Sequence, residues 1–100
     1  MLTVLKEAIL DFIQENTNLF ERFESIYVFG SSINRKSIPN DIDLLLIYSA
    51  FCNDIISDIE CISCSLEEKT HIPIHLTVLS IRELESTNFL HRIKSQIKLR

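Results

Sequence analysis

Two aspartates one residue apart, Asp41 and Asp43, open the longest apolar run of the chain, which continues from Leu44 to Tyr48. On a strand successive side chains point to opposite faces, so both carboxylates share one face while Ile42 and Leu44 share the other. Two acids held side by side repel each other, and the arrangement is stable mainly when a cation sits between them. Upstream, the short run Tyr27-Val28-Phe29 closes on Gly30-Ser31-Ser32, where the chain places its only glycine. A sole glycine at such a junction supplies a backbone shape or a close approach that a side chain would block. The stretch as a whole reads as a metal-dependent site.

The elements that position these residues follow from periodicity. Leu2, Leu5, Ile9, Phe12 and Ile13 recur at helical spacing with Lys6, Glu7 and Asp11 outward. Asn16-Thr17-Asn18 interrupts that pattern, and Leu19, Phe20 and Phe23 continue it as a second helical turn or two. Ile26 to Phe29 is a β-rich run, and the polar loop after it contains Pro39, which pushes Ile38 toward extended geometry. Asp41 to Tyr48 predicts a strand buried on both faces beyond its acidic start. Phe51, Ile55, Ile59, Ile62 and Leu66 predict a helix ending near Lys69, before Pro73. Ile74 to Leu79 alternates as a third strand, and Ser80 with Glu83 forms the capping-box pattern of a final helix marked by Phe89, Leu90, Ile93 and Ile97. The order α-β-α-β-α implies an α+β (α/β) domain, a small three-stranded mixed sheet with helices packed against it, spanning residues 1–100 as one unit.

Composition bounds the function. The chain of 100 residues is 46% hydrophobic with one glycine and two prolines, which fits a compact fold and not disorder. No apolar run approaches the ~20 residues needed to cross a bilayer, and the N-terminal residues lack a signal-peptide pattern, so a cytoplasmic location is expected. Three cysteines without framework spacing fit reduced thiols there. The net charge is −4, but residues 81–100 carry +3, leaving −7 on the first eighty. An acidic body argues against non-specific nucleic-acid binding, which depends on neutralising phosphates. The basic end also reads simply as a solvated helix face.

Gly30-Ser31, nine intervening residues and Asp41-Ile42-Asp43-Leu44 resemble the signature of the DNA polymerase beta-like nucleotidyltransferase superfamily, in its minimal nucleotidyltransferase branch. The likeness extends over most of the chain, because the flanking helices and the third strand fall in the family's order. It implies a nucleotidyltransferase-like fold in which Gly30, Ser31 and Ser32 hold the phosphates of ATP or another nucleoside triphosphate at a helix N-terminus. It implies that Asp41 and Asp43 hold Mg²⁺ or Mn²⁺, which orients the triphosphate while the nucleotide, AMP in the case of ATP, passes to a hydroxyl of a protein or small molecule. Arg35, or Lys36 beside it, would add phosphate charge from the loop. Family members commonly act with a separate subunit, so a protein partner or self-association is expected.

The departure lies on the third strand. The family usually places an acid there, whereas here the aligned residue is His75, with Thr77 on the same face. A neutral imidazole can act as a base but is a poor ligand for Mg²⁺, which prefers oxygen. Two function classes therefore stay open: an active metal-dependent nucleotidyltransferase with Asp41, Asp43 and His75 as its catalytic set, and a catalytically degenerate, antitoxin-like subunit that binds a nucleotide or a partner. Bland readings stand beside these: Asp41 and Asp43 as solvent-facing residues at a strand start, and His75 as a hydrogen-bonded structural histidine. Cys61, Cys64, His71 and His75 imitate a zinc site, but only six residues separate the pairs against about twelve in the usual finger. Buried free thiols on the helix that carries Ile62 explain the cysteines as well.

Overall fold

The computed structural model describes residues 2–29, 41–93 and 96–100, with side chains from residue 6 onward. Helices α1 (Leu2–Glu15) and α2 (Thr17–Phe20) precede strand β1 (Phe23–Phe29). Then come β2 (Ile42–Tyr48), α3 (Asn53–Thr70), β3 (Ile74–Ser80), the short helices α4 (Ile81–Thr87) and α5 (Phe89–Arg92), and β4 (Gln96–Lys98). The described strands form one mixed sheet of order β3-β2-β1-β4. β2 and β3 run parallel, joined through α3, while β1 pairs antiparallel with both β2 and β4. The expected α+β architecture and the three expected strand runs are present.

β2 is the centre of the molecule. Leu44, Leu45, Leu46 and Ile47 are all at most 2% exposed, which is what an unbroken apolar run on a strand covered on both faces requires. Alternation sends Ile42, Leu44 and Leu46, with Ile26 and Val28 of β1, into a core shared with Ile9, Phe12 and Ile13 of α1 and Ile55, Ile62 and Leu66 of α3. Phe20 joins this core edge-on to Phe12, ring centroids 5.9 Å apart. One flank of α3 is tied down by charge: Arg22 donates to Asp58 at 2.7 Å and to Asp54 at 3.4 Å, and Lys69 reaches Glu15 at 3.0 Å. On the opposite face of the sheet, α4 packs against β2 and β3. Its start is the capping box read from the sequence, with Glu83 N–H donating to the Ser80 hydroxyl and Ser80 N–H to the Glu83 carboxylate.

Four features differ from the sequence reading. β1 begins at Phe23 and not at Ile26, because a register shift between Phe23 and Ser25 lets Phe23 and Ile26 both point inward. That spacing of three imitates a helix. The single final helix is replaced by α4 and α5, divided at Asn88 in the left-handed conformation (φ 54°) and ended by extended Ile93. Ile97 lies on β4, a fourth strand added to the expected three. Finally, Cys61 and Cys64 are exposed on α3, not buried beside Ile62.

Candidate functional site

Residues 41 and 43 reach the site from β2 and its lead-in, and residue 75 from the neighbouring strand. Asp43 and His75 are paired residues in the parallel register of β2 and β3. The Ile42 N–H donates to the Pro73 carbonyl at 2.9 Å, which aligns the starts of the two strands. Ile74, Leu76 and Val78 turn toward the core, so alternation directs His75 to the opposite face, where Asp41 and Asp43 lie. His75 Nε2 is 3.6 Å from Asp41 Oδ2, with the imidazole side chain 64% exposed. One ligand atom from each of Asp41, Asp43 and His75 lies within 4.8 Å of the other two, the one such group of potential metal ligands among the described residues.

The electrostatics fit a cation position. Partial burial pushes the Asp43 carboxyl above its ordinary value, the Asp41 charge pushes it the same way, and His75 opposes both. A divalent ion would reverse that balance by favouring both carboxylates in their charged form. The two oxygen donors suit Mg²⁺ or Mn²⁺, while an imidazole nitrogen as third ligand is less suited to Mg²⁺. The residues therefore fit a divalent cation held by Asp41 and Asp43, with His75 at its side.

Strand register extends the site sideways. Across the sheet, His75, Asp43, Phe29 and Gln96 occupy one row of paired positions, and directly paired residues share a face. Phe29, next to Asp43, packs edge-on against Phe89 of α5 with centroids 5.6 Å apart, and Gln96 Nε2 donates to the Leu90 carbonyl at 3.0 Å. The site thus has an apolar wall on the β1 side. Sequence reasoning placed Phe29 on the strand before Gly30 and Phe89 on the final helix, and assigned neither to the site. An open pocket of about 280 Å³ at the α4–α5 corner, lined by Leu84, Glu85, Asn88, Leu90 and His91, includes none of the three cluster residues.

Gly30, Ser31, Ser32 and Arg35, expected to bind phosphate, lie outside the described residues, as does Lys36. Cys61 and Cys64 join no group of three or more potential ligands among the described residues, and His75 sits with the aspartates instead. No helix among the described residues is long and apolar enough to cross a membrane.

With strand order, register and site geometry in place, the class of fold is defined: the chain has the nucleotidyltransferase fold. A candidate nucleotidyltransferase from Sulfolobus solfataricus, solved by crystallography, superimposes over 97% of this chain and 80% of its own, with a TM-score of 0.55 and 17% identical residues. No family model matches the chain, and no curated protein matches it.

Proposed function

We propose that this chain is a metal-dependent nucleotidyltransferase that moves a nucleotide, AMP from ATP in the simplest case, onto a hydroxyl of a protein or small molecule. The observation that carries the reading is the convergence of Asp41, Asp43 and His75 within 4.8 Å at the start of two parallel strands of a nucleotidyltransferase fold. Asp41 and Asp43 hold Mg²⁺ or Mn²⁺, which when bound supplies charge stabilisation at the phosphate under attack. Gly30, Ser31 and Ser32 cradle the remaining phosphates through backbone and hydroxyl donors, and Arg35 adds positive charge. His75 accepts the proton of the attacking hydroxyl, its Nε2 lying 3.6 Å from Asp41 Oδ2 beside the carboxylate pair. The Phe29–Phe89 wall excludes water from the flank of Asp43.

One observation favours a second reading. The position paired with Asp43 on β3 carries histidine where the resembling family has an acid, which fits a nucleotide- or partner-binding subunit without chemistry. Incubation with labelled nucleoside triphosphates and Mg²⁺ or Mn²⁺, with candidate hydroxyl acceptors and with the chain itself, separates the two. Label transfer that depends on the metal and is lost in Asp43→Asn supports the enzyme. Metal-dependent nucleotide binding with no transfer to any acceptor supports the binding subunit.

A further inference from the structure

The two edges of the sheet are built differently. β4 is three residues long and carries Lys98, whose Nζ lies 6.0 Å from the Tyr27 ring centroid. Short edge strands and edge lysines discourage the addition of a further strand. β3, at the other edge, is seven residues long and pairs with β2 in unbroken parallel register. Its sequence, Ile-His-Leu-Thr-Val-Leu-Ser, contains no proline, no glycine and no lysine, arginine or carboxylate. Among the described residues, 74–79 make no backbone–backbone hydrogen bond beyond the pairing with β2. Ile74, Leu76 and Val78 pack on the core yet stay half-exposed, whereas their partners Ile42, Leu44 and Leu46 are at most 1% exposed.

The helices that pack against β3, α3 and α4, carry exposed apolar side chains. Ile81, the first residue after β3, is 38% exposed, and Ile56 of α3 is 51% exposed. Ile56 is two residues from both Asp54 and Asp58, hence ~200° round the helix from each. It therefore lies on the flank of α3 away from the Arg22 ion pairs.

We propose that a second copy of this chain adds to β3, antiparallel, across a two-fold axis at Thr77, joining the two four-stranded sheets edge to edge. β3 is self-complementary about that point. Leu76 meets Val78 of the second copy on the core face; on the other face Thr77 meets its own counterpart and His75 meets Leu79. Apolar rows continue across the join and no charge opposes a like charge. A two-fold contact of this kind closes on itself, so growth stops at the dimer. Antiparallel pairing keeps each face continuous, so the two Asp41–Asp43–His75 clusters lie on the same side of the joined sheet.

Sedimentation velocity of the whole chain from low to high micromolar concentration tests this, alongside Thr77→Lys, Ile81→Asp and a control, Glu21→Lys. Circular dichroism checks that each variant is folded. The wild type and control are expected to be concentration-dependent dimers. Thr77→Lys, which sets two like charges face to face, should weaken the dimer at least about tenfold, and Ile81→Asp should weaken it too. If Thr77→Lys does not fold, Ile81→Asp decides. A wild type that stays monomeric throughout, or a dimer that the folded edge variants leave unchanged, overturns the proposal.

Discussion

At the scale of single residues, Asp43 is where structure and chemistry pull in opposite directions. Burial and the Asp41 charge raise its pKa in the folded chain. A carboxyl so raised binds its proton more readily folded than unfolded, so it destabilises the metal-free fold above its folded pKa, and the penalty fades as pH falls through that value. Asp43→Asn should therefore raise the metal-free melting temperature at neutral pH, with the gain disappearing in acid below the ordinary carboxylate range. A calorimetric pH series on both proteins checks this. The same substitution should lower metal-dependent nucleotide transfer by at least about 100-fold, since it removes a ligand whose ion stabilises the reacting charge. His75 discriminates between the two functional readings. His75→Asp supplies a third acid and should raise Mg²⁺-dependent transfer, while His75→Ala should leave nucleotide binding, measured by calorimetry with ATP and Mg²⁺, nearly intact. His75→Ala should also abolish transfer, since it removes the proposed base, and transfer that survives in that variant would take histidine out of the role. The placement of these three residues was legible in the sequence because strand alternation has a period of two, and the apolar trio Ile74, Leu76 and Val78 leaves His75 one face only.

At the scale of elements, α3 shows how partner and burial together decide what an ion pair contributes. Arg22 bonds to both Asp58 and Asp54, but their side chains are 11% and 73% exposed. Asp58→Ala should cost about 1–3 kcal/mol, as expected for the loss of a charged hydrogen bond at a largely buried site. Asp54→Ala should change stability by less than about 0.5 kcal/mol, since exposed pairs contribute little. Urea unfolding of the two variants measures both, and equal losses would contradict this assignment. Helix and strand periods exposed β2, α3 and β3 to sequence reading because each buries a long, regular face. They failed where regularity fails. Phe23 looked helical because the irregular register of β1 turns Phe23 and Ile26 the same way. β4, with one inward residue between Gln96 and Lys98, has no period at all, so Ile97 fell into step with the helical spacing of Phe89 and Ile93. Asn88 carried the one local cue, since asparagine is among the few residues that accept a positive φ readily.

At the scale of the whole molecule, the residues from 96 onward close a sheet whose other members come from much earlier in the chain. Leu99 N–H donates to the Ile26 carbonyl at 2.7 Å, Ile26 N–H to the Arg100 carbonyl at 3.3 Å, and Arg100 Nη1 to the Phe20 carbonyl at 3.1 Å. Ile97 and Leu99 pack, half-buried, against the core. Removing residues 96–100 should therefore do two separable things. The loss of two half-buried aliphatic side chains should cost about 1–3 kcal/mol by area, read as a lower urea midpoint. The removal of β4 also bares the outer edge of β1, where Tyr27 and Val28 lose their pairing with Lys98 and Ile97. A chain with two open edges can add copies at both, so association no longer stops at a closed pair. Sedimentation of the truncated chain should show species larger than a dimer, increasing with concentration, while the full chain shows none. Restoring only the apolar residues of the segment, with Lys98→Thr in the full-length chain, should return the urea midpoint and leave partial protection at the edge. Should the truncated chain prove as stable as its parent and no more associated, β4 would be an ornament on a three-stranded sheet and not its closing strand.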